Sequence, residues 1–327
     1  RHPGPSRAAA RVPGNALPDA RAAIMLGAVS RLVPVAVVQA TPVVLDAEAT
    51  VAKACALIGE AAAQGARLIA MPEAFVALYP SSRWAHACAR FSPLATELHR
   101  RMWENAVDVP GPLTARLGAA ARRAGAWVTI GVNERDSGRP GTLWNSLLWL
   151  SPDGELAHRR RKLIPTMHER VFWGQGAGDD LDPVATELGR IGGMICWEAF
   201  MPAVRARLHR GGCDIIVAPT ADDRDIWLAA MRAYAFEAGA YVLSPVQHLR
   251  REHFPSDFPL PDELAACPDE LLTGNSVIVD PGGDVVAGPV AGREEILYAD
   301  CDHAAILAAR RVFDVAGHYA RPDIAGP

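Results

Sequence analysis

Short apolar runs alternate with stretches of helical period along most of this chain, and that alternation restricts the folds open to it. Val33 to Ala40 is apolar and Val-rich, and reads as a buried strand. Asp46 to Gly65 follows with Val51, Cys55, Ile58 and Ala62 at helical spacing, closed by the glycine. Leu68 to Met71 is a second short strand, running into Pro72-Glu73. The mixed, aromatic-dotted stretch 76–108 predicts loop and helix, Pro112 to Gly125 a helix, and Trp127 to Asn133 a strand. Leu143 to Leu150 and Glu155 to Arg161 flank Ser151-Pro152-Asp153-Gly154, a turn signal that predicts a hairpin. The second half repeats the theme. A strand ends at Cys196, a helix covers Pro202 to Gly211, and Asp214 to Ala218 is a strand. A helix with Trp227, Met231 and Tyr234 on one face then leads to a strand at Ala240 to Pro245. Residues 249–272, rich in Pro, Asp and Glu, predict an exposed excursion. Ser276 to Asp280 and Asp284 to Ala287 form a second hairpin around Pro281-Gly282-Gly283. The sum is an α/β protein built in layers.

With 327 residues, half of them hydrophobic, the chain can bury a sizeable core. A formal net charge of -4 gives no basic excess for nucleic acid. No apolar run approaches the roughly 20 residues that cross a bilayer. The six cysteines, at positions 55, 88, 196, 213, 267 and 301, include no CxxC pair, which fits reduced thiols in a cytoplasmic protein. Residues 1–31 are rich in Arg, Ala, Pro and Gly, with Asp19 their one acid. They read as a disordered extension, with a targeting segment or a misassigned start as the alternatives. Residues 32–327 read as one domain.

The stretch Gly192-Gly193-Met194-Ile195-Cys196-Trp197-Glu198 carries the chemistry. A thiol placed between a buried strand and a helix is held rigidly, and the positive end of the helix dipole favours its thiolate. Attack by such a thiolate on a carbon–nitrogen centre needs a base, a cation or amide donors for the developing charge, and exclusion of water. Glu73, after an apolar strand, is the candidate base, its pKa raised by burial. Lys162 follows Arg159-Arg160-Arg161 and precedes Leu163-Ile164-Pro165, which turns it inward as the candidate cation, and Glu169 lies a short way downstream. Taken singly, these are an ordinary strand-end acid, surface lysine and core cysteine. Their joint occurrence in matching contexts is what points to a site.

On these residues the chain resembles the nitrilase branch of the carbon–nitrogen hydrolase superfamily. The matching motifs are MPEAF (71–75), RKLIPTMHERVFWGQG (161–176), GRIGGMICWEAFMP (189–202), DIIVAPTADDRDIW (214–227), GNSVIVDPGGDVVAGP (274–289) and FDVAGHYARPD (313–323). The resemblance implies a four-layer α-β-β-α sandwich and a Glu-Lys-Cys triad at Glu73, Lys162 and Cys196, with the family's additional active-site glutamate at Glu169. It implies hydrolysis of a nitrile to acid and ammonia through a thioimidate and a thioester, with the backbone N–H of Trp197 beside Lys162 in charge stabilisation. It implies no cofactor or metal, and homodimers that stack into larger spirals; the Pro202–Gly211 and Trp227–Gly239 helices are plausible contact surfaces. An aliphatic amidase or cyanide-degrading enzyme of the same fold, and a non-catalytic assembly protein, are the alternatives. The chain departs from the family pattern at Val76 to Ser82, at Ala199 and at Gly176-Ala177-Gly178-Asp179-Asp180, none of them in the triad.

Other signals read as structure. The glycine-rich segment 174–178 lacks the strand and helix of a dinucleotide fingerprint and reads as a turn. Asp179, Asp180 and Asp182 lack calcium-loop spacing. His168 reads as supporting or surface, and Gly317-His318-Tyr319 as a packing element that locks the tail.

Overall fold

The computed structural model describes residues 31–321 and 323–324. The segment read as an extension therefore lies outside the described residues, apart from Arg31. In chain order the elements are β1 (Leu32–Gln39), α1 (Ala47–Ala63), β2 (Leu68–Ala70), α2 (Ser82–Ala85), α3 (Pro93–Glu104), α4 (Pro112–Ala124), β3 (Trp127–Arg135), β4 (Leu143–Leu150) and β5 (Leu156–Arg161). The second half contains β6 (Val184–Thr186), β7 (Gly189–Gly193), α5 (Pro202–Gly211), β8 (Ile215–Val217), α6 (Asp225–Ala238), β9 (Tyr241–Ser244), β10 (His248–Arg250), α7 (Pro261–Ala265), β11 (Glu270–Val279), β12 (Val285–Ala291), β13 (Glu295–Asp302) and α8 (His303–Val312).

Helix boundaries follow local chemistry. The Asp46 side chain accepts from Ala49 N at the start of α1. Pro112 opens α4, and Gly125, at φ 60°, closes it in the left-handed conformation. Six strands form one sheet in the order β13-β1-β2-β3-β4-β5, with β1, β2 and β3 parallel. The other sheet runs β10-β11-β9-β8-β7-β6, with β12 on β11, and its β7, β8 and β9 are parallel.

The alternation of side chains along β1 creates the layers. Ala36 and Val38 face α1 and α4 in one apolar cluster with Ile58, Leu117 and Ile130. Val35 and Val37 face the other way, against Ile191, Ile215, Leu243 and Ile278 of the second sheet. On the far side of that sheet, Ile216 and Val242 pack with Leu208 of α5 and with Trp227, Met231 and Tyr234 of α6. The result is the expected four-layer α-β-β-α sandwich.

Two parts of the structure differ from the sequence reading. Residues 249–272 are not an exposed excursion. They supply β10, α7 and the start of β11, and bury Leu249, Phe254, Phe258, Leu260, Leu264 and Leu271 around Trp84. The acids and prolines are interspersed with these anchors, with Pro261, Asp262 and Glu263 in α7 itself, and the averaged composition hid the apolar residues among them. The second difference is an omission: the sequence reading assigns no element to β6, β13 or α8, yet β6 forms one edge of the second sheet, and β13 pairs with β1 along eight residues and forms one edge of the first.

Candidate active site

Ligands of open α/β sheets collect beyond the carboxyl ends of parallel strands, and the candidate residues lie there. Glu73 follows β2, Cys196 follows β7, and Lys162 immediately follows the antiparallel β5. The loop carrying Glu73 crosses β3 at Gly131, where an added Cβ would come within 2.4 Å of both Pro72 O and Ala74 N. Only glycine permits that approach. Gln247 Nε2 donates to Glu73 O at 2.7 Å and fixes the loop from the second sheet.

Lys162 and the two carboxylates meet in a buried cluster. Lys162 Nζ donates to Glu73 Oε1 at 2.8 Å and to Glu169 Oε2 at 2.7 Å, and all three side chains are fully buried. Asn145 Nδ2 donates to the same Glu73 oxygen at 2.8 Å, while its backbone oxygen accepts from Lys162 N at 2.8 Å. Asn145 therefore sets both partners, and sequence reading missed it. Glu169 sits in a 3-10 turn, Met167–Val171, where Thr166 N donates to its Oε2 and the Tyr79 hydroxyl to its Oε1, each at 2.7 Å. Glu73 Oε2 has no hydrogen-bond partner among the described residues.

Cys196 lies beside this cluster at φ 53°, a left-handed conformation that is strained for a residue with a Cβ. Its N–H donates to Pro219 O at 2.8 Å and Thr220 Oγ1 lies 3.1 Å from its sulfur. The chain then forms a 3-10 turn, Cys196–Phe200, before α5 begins. A turn between the cysteine and a helix opening at Pro202 is the arrangement expected from sequence; the difference is that β7 ends at Gly193, three residues before Cys196. The expected lowering of the thiol pKa is corrected. Burial and the charge of Glu73 raise it, against the pull of Lys162.

The electrostatics follow from two carboxylates sharing one ammonium. Burial and Glu169 raise the pKa of Glu73, partly offset by Lys162. Burial works against the charged form of Lys162, but the carboxylates of Glu73 and Glu169 outweigh it and hold the lysine protonated. Burial first, and the surplus negative charge second, favour the protonated thiol.

A cleft of about 430 Å³ is lined by Tyr79, His168, Glu169, Cys196, Trp197 and Leu272, among others. The indole Nε1 of Trp197 donates to Asp222 Oδ2 at 2.9 Å, and Arg224 pairs with Asp222 at 2.6 Å. The Trp197 backbone N–H lies in the 3-10 turn immediately after Cys196. Several other sequence-derived signals have structural roles: Asp180 accepts from Arg161 N at 2.9 Å, Asp182 pairs with Arg207 at 2.8 Å, and Tyr319 packs on Phe313. Segment 174–178 is a loop whose Gly176 N donates to Lys162 O. Among the described residues, no helix is long and apolar enough to cross a membrane.

A protonated thiol next to a carboxylate with an open oxygen and a fixed ammonium can add to an unsaturated carbon and shuttle the proton released. Comparison with known proteins agrees with this chemistry. The carbon–nitrogen hydrolase family model matches residues 34–311. An aliphatic nitrilase of Sinorhizobium fredii (strain HH103) is 46% identical over 292 residues, covering 88% of this chain and 92% of the relative. A bifunctional nitrilase/nitrile hydratase of Nicotiana tabacum is 40% identical over 296 residues, covering 88% and 83%. Among solved structures, a carbon–nitrogen hydrolase of Helicobacter pylori G27 has the same fold, with a TM-score of 0.69 at 20% identity and coverage of 90% of this chain and 97% of that one. With its layers, its buried ammonium–carboxylate cluster and a match across most of its length, this chain belongs to the carbon–nitrogen hydrolase family.

Proposed function

We infer that this protein is a nitrilase, hydrolysing an organic nitrile to its carboxylic acid and ammonia. The observation that carries the reading is Lys162, held at 2.8 and 2.7 Å between Glu73 and Glu169 beside a cysteine that lines a cleft. Similarity to proteins named as nitrilases supplies the substrate class.

In this reading the Cys196 sulfur adds to the nitrile carbon while its proton passes to Glu73 and on to the nitrile nitrogen. One π bond of C≡N is replaced by the C–S bond, giving a thioimidate. Water adds to that carbon, its proton again relayed through Glu73, and ammonia departs from the tetrahedral species to leave a thioester. A second water releases the acid and restores the thiol. Lys162 and the Trp197 N–H offset the negative charge that grows during each addition. Because the resting thiol is neutral, proton transfer and S–C bond formation run together, and a preformed thiolate is not required.

The exposed Ile226 and Phe236 of α6, with Phe236 stacked on Phe313, support self-association as a homodimer that can extend further. The six free thiols support a reducing, cytoplasmic setting.

The test is a panel of aliphatic, aromatic and arylacetic nitriles, cyanide and the matching amides, scoring acid, amide and ammonia. Acid and ammonia from nitriles, abolished in Cys196→Ala, are expected. Turnover of amides without any nitrile turnover would replace this reading with an amidase.

A further inference from the structure

We propose that Thr220 is a catalytic residue whose hydroxyl donates a hydrogen bond to the Cys196 sulfur as negative charge develops on it, a role that rests on the thiol chemistry inferred above. The Thr220 Oγ1 lies 3.1 Å from Sγ in a residue that is fully buried. The direction of the bond follows from what surrounds that oxygen. Asp222 N donates to Oγ1 at 2.9 Å, which occupies a lone pair and leaves the hydroxyl's own proton for the sulfur.

The backbone holds this donor rigidly. Thr220 N donates to Pro245 O at 3.1 Å, and the preceding Pro219 O accepts from Cys196 N at 2.8 Å. The loop after β8 is therefore tied both to β9's extension and to the cysteine itself. Val has nearly the same shape, so shape alone does not call for a hydroxyl at this buried position; what Val lacks is the acceptor for Asp222 N and the donor to sulfur.

The chemistry gives that donor two moments to act. During addition to the nitrile carbon, the S–H bond breaks toward Glu73 and sulfur carries partial negative charge before the S–C bond is complete. During thioester hydrolysis, water adds to the carbonyl carbon with its proton taken by Glu73. The C–S bond then breaks with its electron pair going to sulfur, and Glu73 returns the proton to it. The Thr220 proton is never transferred. A hydrogen bond to a charged acceptor is about twice as strong as one to a neutral acceptor, so the donor favours the charged sulfur over the resting thiol. Thr220 thus opposes Glu73 and Glu169, which disfavour charge there, and acts alongside Lys162.

The test is the rate at which iodoacetamide alkylates Cys196 in the full chain, followed by mass spectrometry across pH. The proteins compared are the wild type, Thr220→Val, Thr220→Ala and Thr220→Ser. Loss of the hydroxyl is expected to slow alkylation about ten- to a hundredfold at a given pH, and to move the pH midpoint upward, in the Val and Ala variants alike. Thr220→Ser is expected to stay within about threefold of wild type. Thermal unfolding identifies which variants are folded, and the Ala variant serves if Val is not accommodated. Wild-type rate and midpoint in a folded Val or Ala variant would overturn the proposal, as would a Ser variant as slow as Val. Alkylation needs no nitrile, so a protein with the expected pattern but no nitrile turnover would fail the substrate reading and leave the role of Thr220 standing.

Discussion

Arg160 and Glu198 form an ion pair at 2.8 Å with side chains that are 1% and 0% exposed. The pair joins the strand that delivers Lys162 to the turn that delivers Cys196. Arg160 also donates to Gly193 O, and Glu198 accepts from Leu163 N at 2.7 Å and from Ile195 N at 2.6 Å. Residues on both sides of the lysine and both sides of the cysteine are thereby fixed to one buried salt bridge. Removing one partner strands the other charge. Glu198→Ala is expected to destabilise the fold by about 3–5 kcal/mol in urea denaturation. Glu198→Gln, which keeps an acceptor, costs less. Adding Arg160→Met to Glu198→Gln is expected to recover part of the loss, because no charge is then left buried alone. Strictly additive losses would show that the two side chains do not depend on each other.

The charge balance around Glu73 sets the acid limb of activity. In the proposed mechanism Glu73 must be ionised to accept the thiol proton, and burial followed by Glu169 places its pKa above the ordinary 4.5. Activity therefore rises with pH through a limb above that value. Glu169→Gln removes a negative charge that disfavours ionisation of Glu73, so the acid limb of kcat/KM is expected to move to lower pH even as kcat falls. A pH–rate profile with its acid limb unchanged would remove Glu169 from the coupled cluster.

Asn145 offers the opposite perturbation. Its amide donates to Glu73 Oε1, which favours the ionised carboxylate. Asn145→Asp replaces that donor with a third carboxylate at the same place, and is expected to shift the acid limb upward and lower kcat/KM about ten- to a hundredfold near neutral pH. Should this limb move down or stay fixed, the hydrogen bond to Glu73 is not a determinant of its ionisation.

Part of this site was legible in the sequence because two of the candidates followed apolar strands whose ends could be read, while Lys162 was marked by the apolar residues after it. Glu73 after Leu68 to Met71 and Cys196 after a glycine-rich strand are such cases, and the resemblance added Glu169. The supporting residues were not legible, for physical reasons. Asn145 lies in the middle of β4, where a polar residue in an apolar run gives no sign of which strand or loop it faces. Arg160 stands within three consecutive arginines and looks like surface charge; alternation along β5 turns it into the interior while Arg159 and Arg161 pair with Glu134 nearer the surface. Thr220 lies beyond β8, and its contact with the sulfur depends on how the loops after β7 and β8 come together. Residues 249–272 misled for a related reason, since the averaged composition concealed the apolar anchors.

His209 makes a prediction about stability that is independent of the site. The ring stacks on Tyr234 with centroids 5.2 Å apart, and its side chain is 7% exposed. Burial, reinforced by Arg205 and Arg210, lowers its pKa from 6.5 to about 4. Between those values the unfolded chain binds a proton that the folded chain excludes, so stability is fully present above pH 6.5 and falls as pH drops through the window. The difference corresponds to about 2–3 kcal/mol lost between pH 7 and 4.5 on account of this residue. Other groups titrate over the same range, so the measurement is the change in urea-unfolding free energy between the two pH values in wild type and in His209→Gln. The variant is expected to lose about 2–3 kcal/mol less than wild type over that interval, even though it starts less stable at pH 7 for want of the stacked ring. Equal losses in the two proteins would mean that the imidazole is charged in the folded state at acid pH, with Glu237, 3.8 Å from its Nδ1, as the group that accommodates the proton.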